Sequence, residues 1–389
     1  MPPKKKTRAV KLCSVYAAPT TVPVLQLAAK KLKWQLVDTA QTSAGIYWVC
    51  QKDKVKQLVR DLPEKQLIGR YPNMNVFCNK VPFSVILGQA SEVFPEAFSF
   101  WPRSYNLPGE EQELKAAMEE STRCKKSKNF FIVKPDGGSQ GDGIFLTNSW
   151  NDMLTRLGGL PICKPWVVQL YMADPYLIDG MKFDLRLYVL LTSTGNTYRS
   201  FLSKEGLVRL CTEKYKSPTN ATRHHVNSHL TNYSLNKHSD GFVRGNHNDP
   251  TGGESSKRSL SSVLDLLRDN GEDVEALWDS LLALVGNTIA AMHGPVMEAC
   301  EMGKSNGSNL FQVLGFDVLL DSKLIPMLLE VNNHPSMAID TPIPLDVADA
   351  MENEEESSVS SSSGCRGGCG VGEGPRGARG RSEDEGEMS

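Results

Sequence analysis

Beyond Asn129 the apolar residues come in short runs rich in β-branched and aromatic side chains, each closed by a turn-forming cluster. FFIVKP (130–135), GIFLT (143–147), WVVQLYM (166–172), KFDLRLYVLLT (182–192), TYRSFLS (197–203), LFQVLGFDVLLD (310–321) and LIPMLLEVN (324–332) therefore predict strands. Upstream the spacing changes. KLCSVYAA (11–18) and GIYWVCQ (45–51) read as strands around a helical VPVLQLAAKKLKW (22–34), with 55–60 helical before Pro63, which makes a small α/β unit. Helices are also predicted over 110–124, where Leu114, Ala117 and Met118 share a face, over 259–269 and over 272–302, the last interrupted at Gly294-Pro295. Residues 69–75 are turn-rich and set like a domain junction, 95–108 hold too much proline for a helix interior, and 236–258 read as one long loop.

Composition narrows the class. With 23% charged and 7% aromatic residues, the 389-residue chain has a globular make-up, which excludes collagen-like, coiled-coil and wholly disordered readings. No run approaches 18 uncharged apolar residues, so no spanning helix is expected. The leader MPPKKKTRAVK is basic and lacks the apolar stretch of a secretory signal, which argues for an intracellular protein. The net charge of −2 conceals a split. Nine acidic residues and four arginines fall in 351–389, leaving 39 basic against 36 acidic residues in 1–350, a body at +3 that can meet an acidic partner. Residues 347–389, with a Glu cluster, a Ser run and Gly/Arg repeats, hold too little apolar surface to offset chain entropy and are expected to be disordered. The nine scattered cysteines read as reduced thiols, and Cys365 and Cys369 have no histidine nearby to complete a zinc site.

Four features carry chemistry. The first is the stretch from Lys134 through Gln140, Gly141, Asp142 and Gly143, a Gly-rich connection between two strands, unlike a strand-to-helix dinucleotide turn or a GKS/GKT phosphate loop. Its backbone N–H groups can approach phosphate oxygens and Lys134 adds a cation, although a flexible hairpin explains the same composition. The second follows Gln169-Leu170-Tyr171-Met172. In a strand Lys182, Asp184 and Arg186 project from one face while Phe183, Leu185 and Leu187 take the other, and in a buried sheet such charges need partners. The third is the polar run His229-Leu-Thr231-Asn232-Tyr233-Ser234, which alone reads equally as ordinary turn residues. The fourth is Asp317 in one apolar strand with Glu330 and Asn332 on another. A hairpin through 321–323 would gather three oxygen donors, a set suited to Mg²⁺ bridging nucleotide phosphates.

The ordered set VKPDGGSQGDGI, QLYMADPYLIDGMKFDLRLYVLLTS, KEGLVR, HLTNYSLNKHS and FDVLL–LLEVN resembles the tubulin tyrosine ligase-like family, and within it the protein polyglutamylases, over residues 69–345, including GRYPNMNVFCNK and FWPRSYNLP. The resemblance implies an α+β ATP-grasp fold. It would have a small N-terminal α/β domain (1–70), a central lobe (71–170), a C-terminal lobe (171–346) and the disordered tail (347–389). It implies a ligase that joins free L-glutamate to a glutamate side chain in an acidic protein tail, typically of tubulin, through an acyl phosphate made with ATP and Mg²⁺. Residue by residue, Lys134, Gln169, Leu170, Tyr171, Met172, Lys182, Phe183, Asp184, Thr231 and Asn232 would contact ATP, and Gln140–Gly143 would close over its phosphates. Asp317, Glu330 and Asn332 would hold Mg²⁺, Arg186 would neutralise charge at the acyl phosphate, and Lys204 would lie near phosphates or acceptor. Arg209, Tyr233, Ser234 and Lys257 would bind the incoming glutamate. The implied protein is a monomer acting on tubulin or microtubules in the cytoplasm and cytoskeleton, extending to cilium and basal body, with no nucleic-acid or membrane partner.

Two departures stand out: Asp142 replaces a residue that is basic in many members, and an acidic tail lies where autonomous polyglutamylases are expected to continue into a basic docking segment. A relative adding glycine or tyrosine would share the nucleotide residues. Arg209 favours an amino acid with a side-chain carboxylate, and the intact Asp317, Glu330, Asn332 set argues against a catalytically weak tubulin-binding protein.

Overall fold

The computed structural model describes residues 10–38, 44–61, 65–123, 129–138, 141–194, 197–245, 253, 255–302 and 307–338. Gln140, most of 246–254 and the tail lie outside the described residues.

The N-terminal unit is a parallel sheet of four short strands, β1 (Lys11–Cys13), β2 (Gln35–Val37), β3 (Ile46–Tyr47) and β4 (Leu67–Ile68), in the order β2-β1-β3-β4. Parallel pairing needs crossovers, and α1 (Val22–Lys31), opened by a proline in its first turn, and α2 (Lys52–Asp61) supply two of them. A single turn, α3 (Met74–Phe77), and a longer helix, α4 (Lys80–Val93), follow.

A second, antiparallel sheet is built from β5 (Ser104–Leu107), β6 (Phe131–Pro135), β7 (Phe145–Thr147) and β8 (Trp166–Leu170), in the order β5-β8-β6-β7. Helices α5 (Glu111–Arg123) and α6 (Trp150–Leu157) cover one face. Ser149 caps α6 by accepting from the Asp152 N–H, and Gly158 ends it in the left-handed region. Tyr105, Leu114, Phe131, Val133, Met153 and Val168 form the core beneath this sheet.

The third sheet is the largest: β9 (Leu177–Ile178), β10 (Met181–Thr194), β11 (Thr197–Lys214), β12 (Lys257–Ser259), β13 (Phe311–Leu320) and β14 (Pro326–Asn332), in the order β12-β11-β10-β13-β14 with β9 beside β10. Two single turns, α7 (Val226–His229) and α8 (Tyr233–Asn236), follow β11, and two longer helices, α9 (Leu260–Asp269) and α10 (Val274–Met302), lie between β12 and β13.

α10 differs from expectation in two ways. It runs through Pro295 unbroken, because Leu277, Leu281, Leu284, Thr288, Met292, Val296 and Cys300 form a buried stripe on both sides of the proline, and that packing outweighs the ~3 kcal/mol backbone cost. It is also long and apolar enough to cross a membrane by length and composition, contrary to the expectation of no such segment. Its buried stripe packs against β11, β14, α3 and α4, as in the central helix of a globular core. That core is continuous from Cys13, Tyr47 and Ile68 of the first sheet through α10 to Leu314 and Phe316 of the third, and an isolated bridge joins Ile68 to Leu310.

Candidate functional site

A narrow cleft opens between the second and third sheets. Its second-sheet wall carries Ile132, Lys134, Gln169 and Leu170, and Tyr171 and Met172 continue from β8. Its third-sheet wall carries Lys182, Asp184, Arg209, Asp317 and Glu330, and Thr231 and Asn232 border it after α7. Alternation explains the split in β10: Phe183, Leu185 and Leu187 lie in the core, while Lys182 (3% exposed), Asp184 (1%) and Arg186 take the cleft-side face.

These buried charges face one another across four strands, β10, β11, β13 and β14. Asp184 stands opposite Arg209, Arg186 opposite Asp317, and Asp317 opposite Glu330. Arg209 donates from Nε to Asp184 Oδ1 (2.8 Å) and from Nη2 to Asp184 Oδ2, and Nη2 also lies 2.9 Å from Asp317 Oδ2. Arg186 grips Asp317 through Nε (2.5 Å) and Nη2 (2.9 Å). Burial pushes the Asp317 carboxyl up, but the Arg209 and Arg186 guanidiniums outweigh it and hold the group down to about 2. The bonds of Arg186 and Arg209 use Nε and Nη2, which leaves Nη1 of each available among the described residues.

The two lysines have no carboxylate partner among the described residues. Lys134 donates to Gln169 Oε1 (2.5 Å), and Gln169 Nε2 donates to Ser104 Oγ (2.8 Å), so β6, β8 and β5 form one polar chain. Lys182 donates to the Tyr171 hydroxyl (2.9 Å). Burial lowers both ammonium groups to about 8, far enough that a phosphate would draw protons to them.

A β-bulge shapes the edge of the cleft. Val318 faces Leu328 while Asp317 faces Glu330, so Leu329 is an extra residue on β14, and Met327, Leu329 and Glu330 all line the cleft. Asn332 Nδ2 donates to Asp317 Oδ2 and Glu330 Oε1, both at 3.3 Å. The three side chains offer only hard oxygen donors, once the Asn332 amide turns its oxygen inward, and they fit a small divalent cation. Among the described residues no group of three His, Cys, Asp or Glu is placed to hold a metal, so any such site depends on the Asn332 amide.

The remaining expected positions fall into three groups. Gly141, with φ +86°, packs so closely that a Cβ would lie 2.7 Å from Leu235 Cδ1 and 3.2 Å from Asn232 Oδ1, which brings the Gly-rich loop against the cleft border, with Asp142 and Gly143 exposed beside it. Tyr233, Ser234 and Lys257 do not line the cleft. Lys257 Nζ sits 5.5 Å from the Tyr233 ring centroid, and Lys257 stands opposite Arg209 in the sheet. Lys204 and Phe183 are not brought to the cleft. Lys204 is exposed where β11 bulges between Leu202 and Gly206, and Phe183 is in the core against Tyr176. Sequence reasoning assigned no role to His229, Pro102, Ile132, Ile144, Leu319, Met327 and Leu329, all of which line the cleft. His229 could have been singled out, since it opens a motif whose next residues border the site.

Comparison with known proteins gives a concordant picture. The Tubulin-tyrosine ligase family model matches residues 58–353, well over half of the chain. Tubulin polyglutamylase ttll6 of Danio rerio is 41% identical over 297 residues, covering 75% of this chain and 36% of that protein. Tubulin polyglutamylase TTLL11 of Homo sapiens is 38% identical over 328 residues (83% and 44%), and the Probable beta-tubulin polyglutamylase of Tetrahymena thermophila is 37% identical over 331 residues (84% and 27%). The chain thus spans less than half the length of these relatives.

Proposed function

The chain belongs to the tubulin-tyrosine ligase family, and we propose that it is an ATP-dependent protein–glutamate ligase that lengthens or starts glutamate chains on acidic tubulin tails. The observation that carries this reading is the convergence on one cleft of Lys134 and Lys182 with the Asp317 and Glu330 carboxylates, to which the Asn332 side-chain amide is hydrogen-bonded. Two cations answer nucleotide phosphates, and the oxygen set suits the cation that accompanies them. The two sheets flanking the cleft are read as the lobes of an ATP-grasp fold (71–170 and 171–346), with 1–70 as an added N-terminal unit.

In this mechanism the apolar lining of Ile132, Leu170, Met172 and Leu319 holds the base, with Gln169, Tyr171, Thr231 and Asn232 supplying polar contacts. Lys134 and Lys182 bind phosphate oxygens, and the loop through Gly141 covers them. Mg²⁺, when bound, would neutralise phosphate charge, held by Asp317, Glu330 and Asn332. The acceptor γ-carboxylate oxygen attacks the γ-phosphorus, the bond to ADP breaks, and an acyl phosphate forms. The free glutamate amine, having lost a proton to water, attacks the acyl carbon. Phosphate leaves, taking up the second amine proton, as the isopeptide bond forms. Arg186 Nη1 stabilises the oxyanion that develops. Arg209 Nη1 meets a carboxylate of the incoming glutamate, with Lys257 and Tyr233 beyond it, and that cation is what favours glutamate over glycine or tyrosine. The acceptor would be tubulin in microtubules of the cytoskeleton, including those of cilium and basal body, and the enzyme would act as a monomer.

The test is to incubate the full chain with Mg-ATP, tubulin and isotope-labelled glutamate, glycine and tyrosine, and to map modified peptides by mass spectrometry. Glutamate on glutamate side chains together with ADP release is expected. Absence of ADP formation and of incorporation with every amino acid would refute the ligase reading.

A further inference from the structure

We infer that His229 is a positioning residue that acts through the Tyr171 hydroxyl to hold the Lys182 ammonium in place for the nucleotide. The inference rests on the reading that the cleft binds a nucleotide. Lys182 is a long, flexible side chain buried at the cleft wall, and among the described residues no carboxylate lies within salt-bridge distance of its Nζ. Its hydrogen bond is the one to Tyr171. What fixes that hydroxyl therefore fixes the lysine.

The direction of the bonds follows from one carbonyl. His229 Nε2 lies 3.1 Å from the Thr222 backbone oxygen, which can only accept, so Nε2 carries the hydrogen. Nδ1 is then an acceptor, and at 3.0 Å it takes the hydrogen of the Tyr171 hydroxyl. The Tyr171 oxygen is left with its lone pairs toward Lys182, which donates to it. In the opposite tautomer, a lone pair would oppose the Thr222 carbonyl, and the Tyr171 hydroxyl would accept from Nδ1 and turn its own hydrogen toward a neighbour such as Tyr215. Packing leaves the imidazole little freedom: its ring meets Tyr171 and Tyr215 edge-on, both at 5.7 Å, and His229 is 2% exposed. Burial also lowers its pKa to about 4, which keeps the ring neutral and Nδ1 free to accept. Lys182 Nζ further rests 4.4 Å from the Tyr171 ring centroid, so the same tyrosine holds the ammonium through its face and its oxygen.

Two substitutions separate the imidazole's two ends. In His229→Gln the side-chain amide nitrogen can replace Nε2 and keep the Thr222 bond, but nothing replaces the Nδ1 acceptor. In His229→Asn the side-chain oxygen can replace Nδ1 and the Thr222 bond is lost. Calorimetric titration of the full chain with ADP is expected to show about tenfold weaker binding for His229→Gln and for Tyr171→Phe, the size of one lost hydrogen bond, with His229→Asn within about threefold of the native protein. The His229→Gln, Tyr171→Phe double variant should bind no more weakly than Tyr171→Phe alone. Native-like affinity in His229→Gln, equal losses in the Gln and Asn variants, or additive losses in the double variant would overturn the inference. Failure of the native protein to bind ADP would instead overturn the nucleotide reading. Should a variant not fold, ¹⁵N spectra of the histidine-labelled native protein still decide: a protonated Nδ1 and a bare Nε2 at His229 would refute the proposed chain of bonds.

Discussion

Raising the pH from 7 to 9 is expected to weaken nucleotide binding roughly 100-fold, with Lys134 and Lys182 as the cause. Burial lowers both ammonium groups to about 8. Glu330 and Asp317 offset this in part at Lys134, as Cys211 and Asp184 do at Lys182. In the free protein the protonated fraction of each lysine therefore falls from ~0.9 at pH 7 to ~0.1 at pH 9. A bound phosphate restores the charged form, so each lysine must regain its proton on binding, and each contributes about a tenfold loss over this interval. The nucleotide's own phosphates are ionised by the start of the interval and do not add to the slope. At pH 8, where each lysine is half protonated, binding should take up about one proton in total, read as the dependence of the calorimetric heat on the ionisation enthalpy of the buffer. Lys134→Arg, whose guanidinium stays charged throughout, should halve both the proton uptake and the logarithmic slope. An affinity that stays level from pH 7 to 9 with no buffer-dependent heat would refute the reasoning, because it would mean that neither lysine answers the phosphates.

Three further outcomes are expected. His229 binds a proton less readily folded than unfolded, so stability should fall as the pH drops from about 6.5 toward about 4, by up to ~3 kcal/mol; urea titrations at pH 7 and pH 5 with equal midpoints would contradict this. Gly141→Ala places a Cβ against Leu235 and Asn232 at a backbone angle that L-residues avoid, a strain of ~1–2 kcal/mol. Turnover should fall at least tenfold with the overall melting profile kept, and an unchanged rate would show that the loop's close approach is dispensable. Asp317→Asn leaves Arg186 without its carboxylate in a buried site, so ~3 kcal/mol of stability and nearly all turnover should be lost, and an active variant with native denaturant midpoint would remove Asp317 from both roles.

What could be read from the sequence depended on how locally each feature was encoded. The β10 stripe was legible because its two faces differ in kind at every step: Lys182, Asp184 and Arg186 against Phe183, Leu185 and Leu187. The meeting of Asp317 and Glu330 was legible because a hairpin turn joins β13 to β14 directly. Other features rest on contacts between distant segments. Nothing around Ile68 announces its pairing with Leu310, so the N-terminal strands read as a separate unit although their core is shared with the third sheet. His229 depends on Thr222 and on Tyr171, 58 positions away, and no local pattern encodes that triangle. Pro295 looked like a break because local propensity was all the sequence displayed, and packing of the stripe on either side overrides it. Phe183 and Lys204 belong to the family pattern, which encodes no geometry, and strand alternation and a bulge set them away from the cleft.

The extra residue in β14 has one more consequence. If Leu329 were deleted, the strand would close up with Leu328 still opposite Val318 and Glu330 still opposite Asp317, so the oxygen donors would keep their places while the cleft lost a single apolar group. The strand therefore carries an interchangeable spacer between two fixed positions. At this point the dimensions of the cleft can change by one residue without touching the ladder of charges beside it, so the size of the bound group and the chemistry done on it can be altered independently.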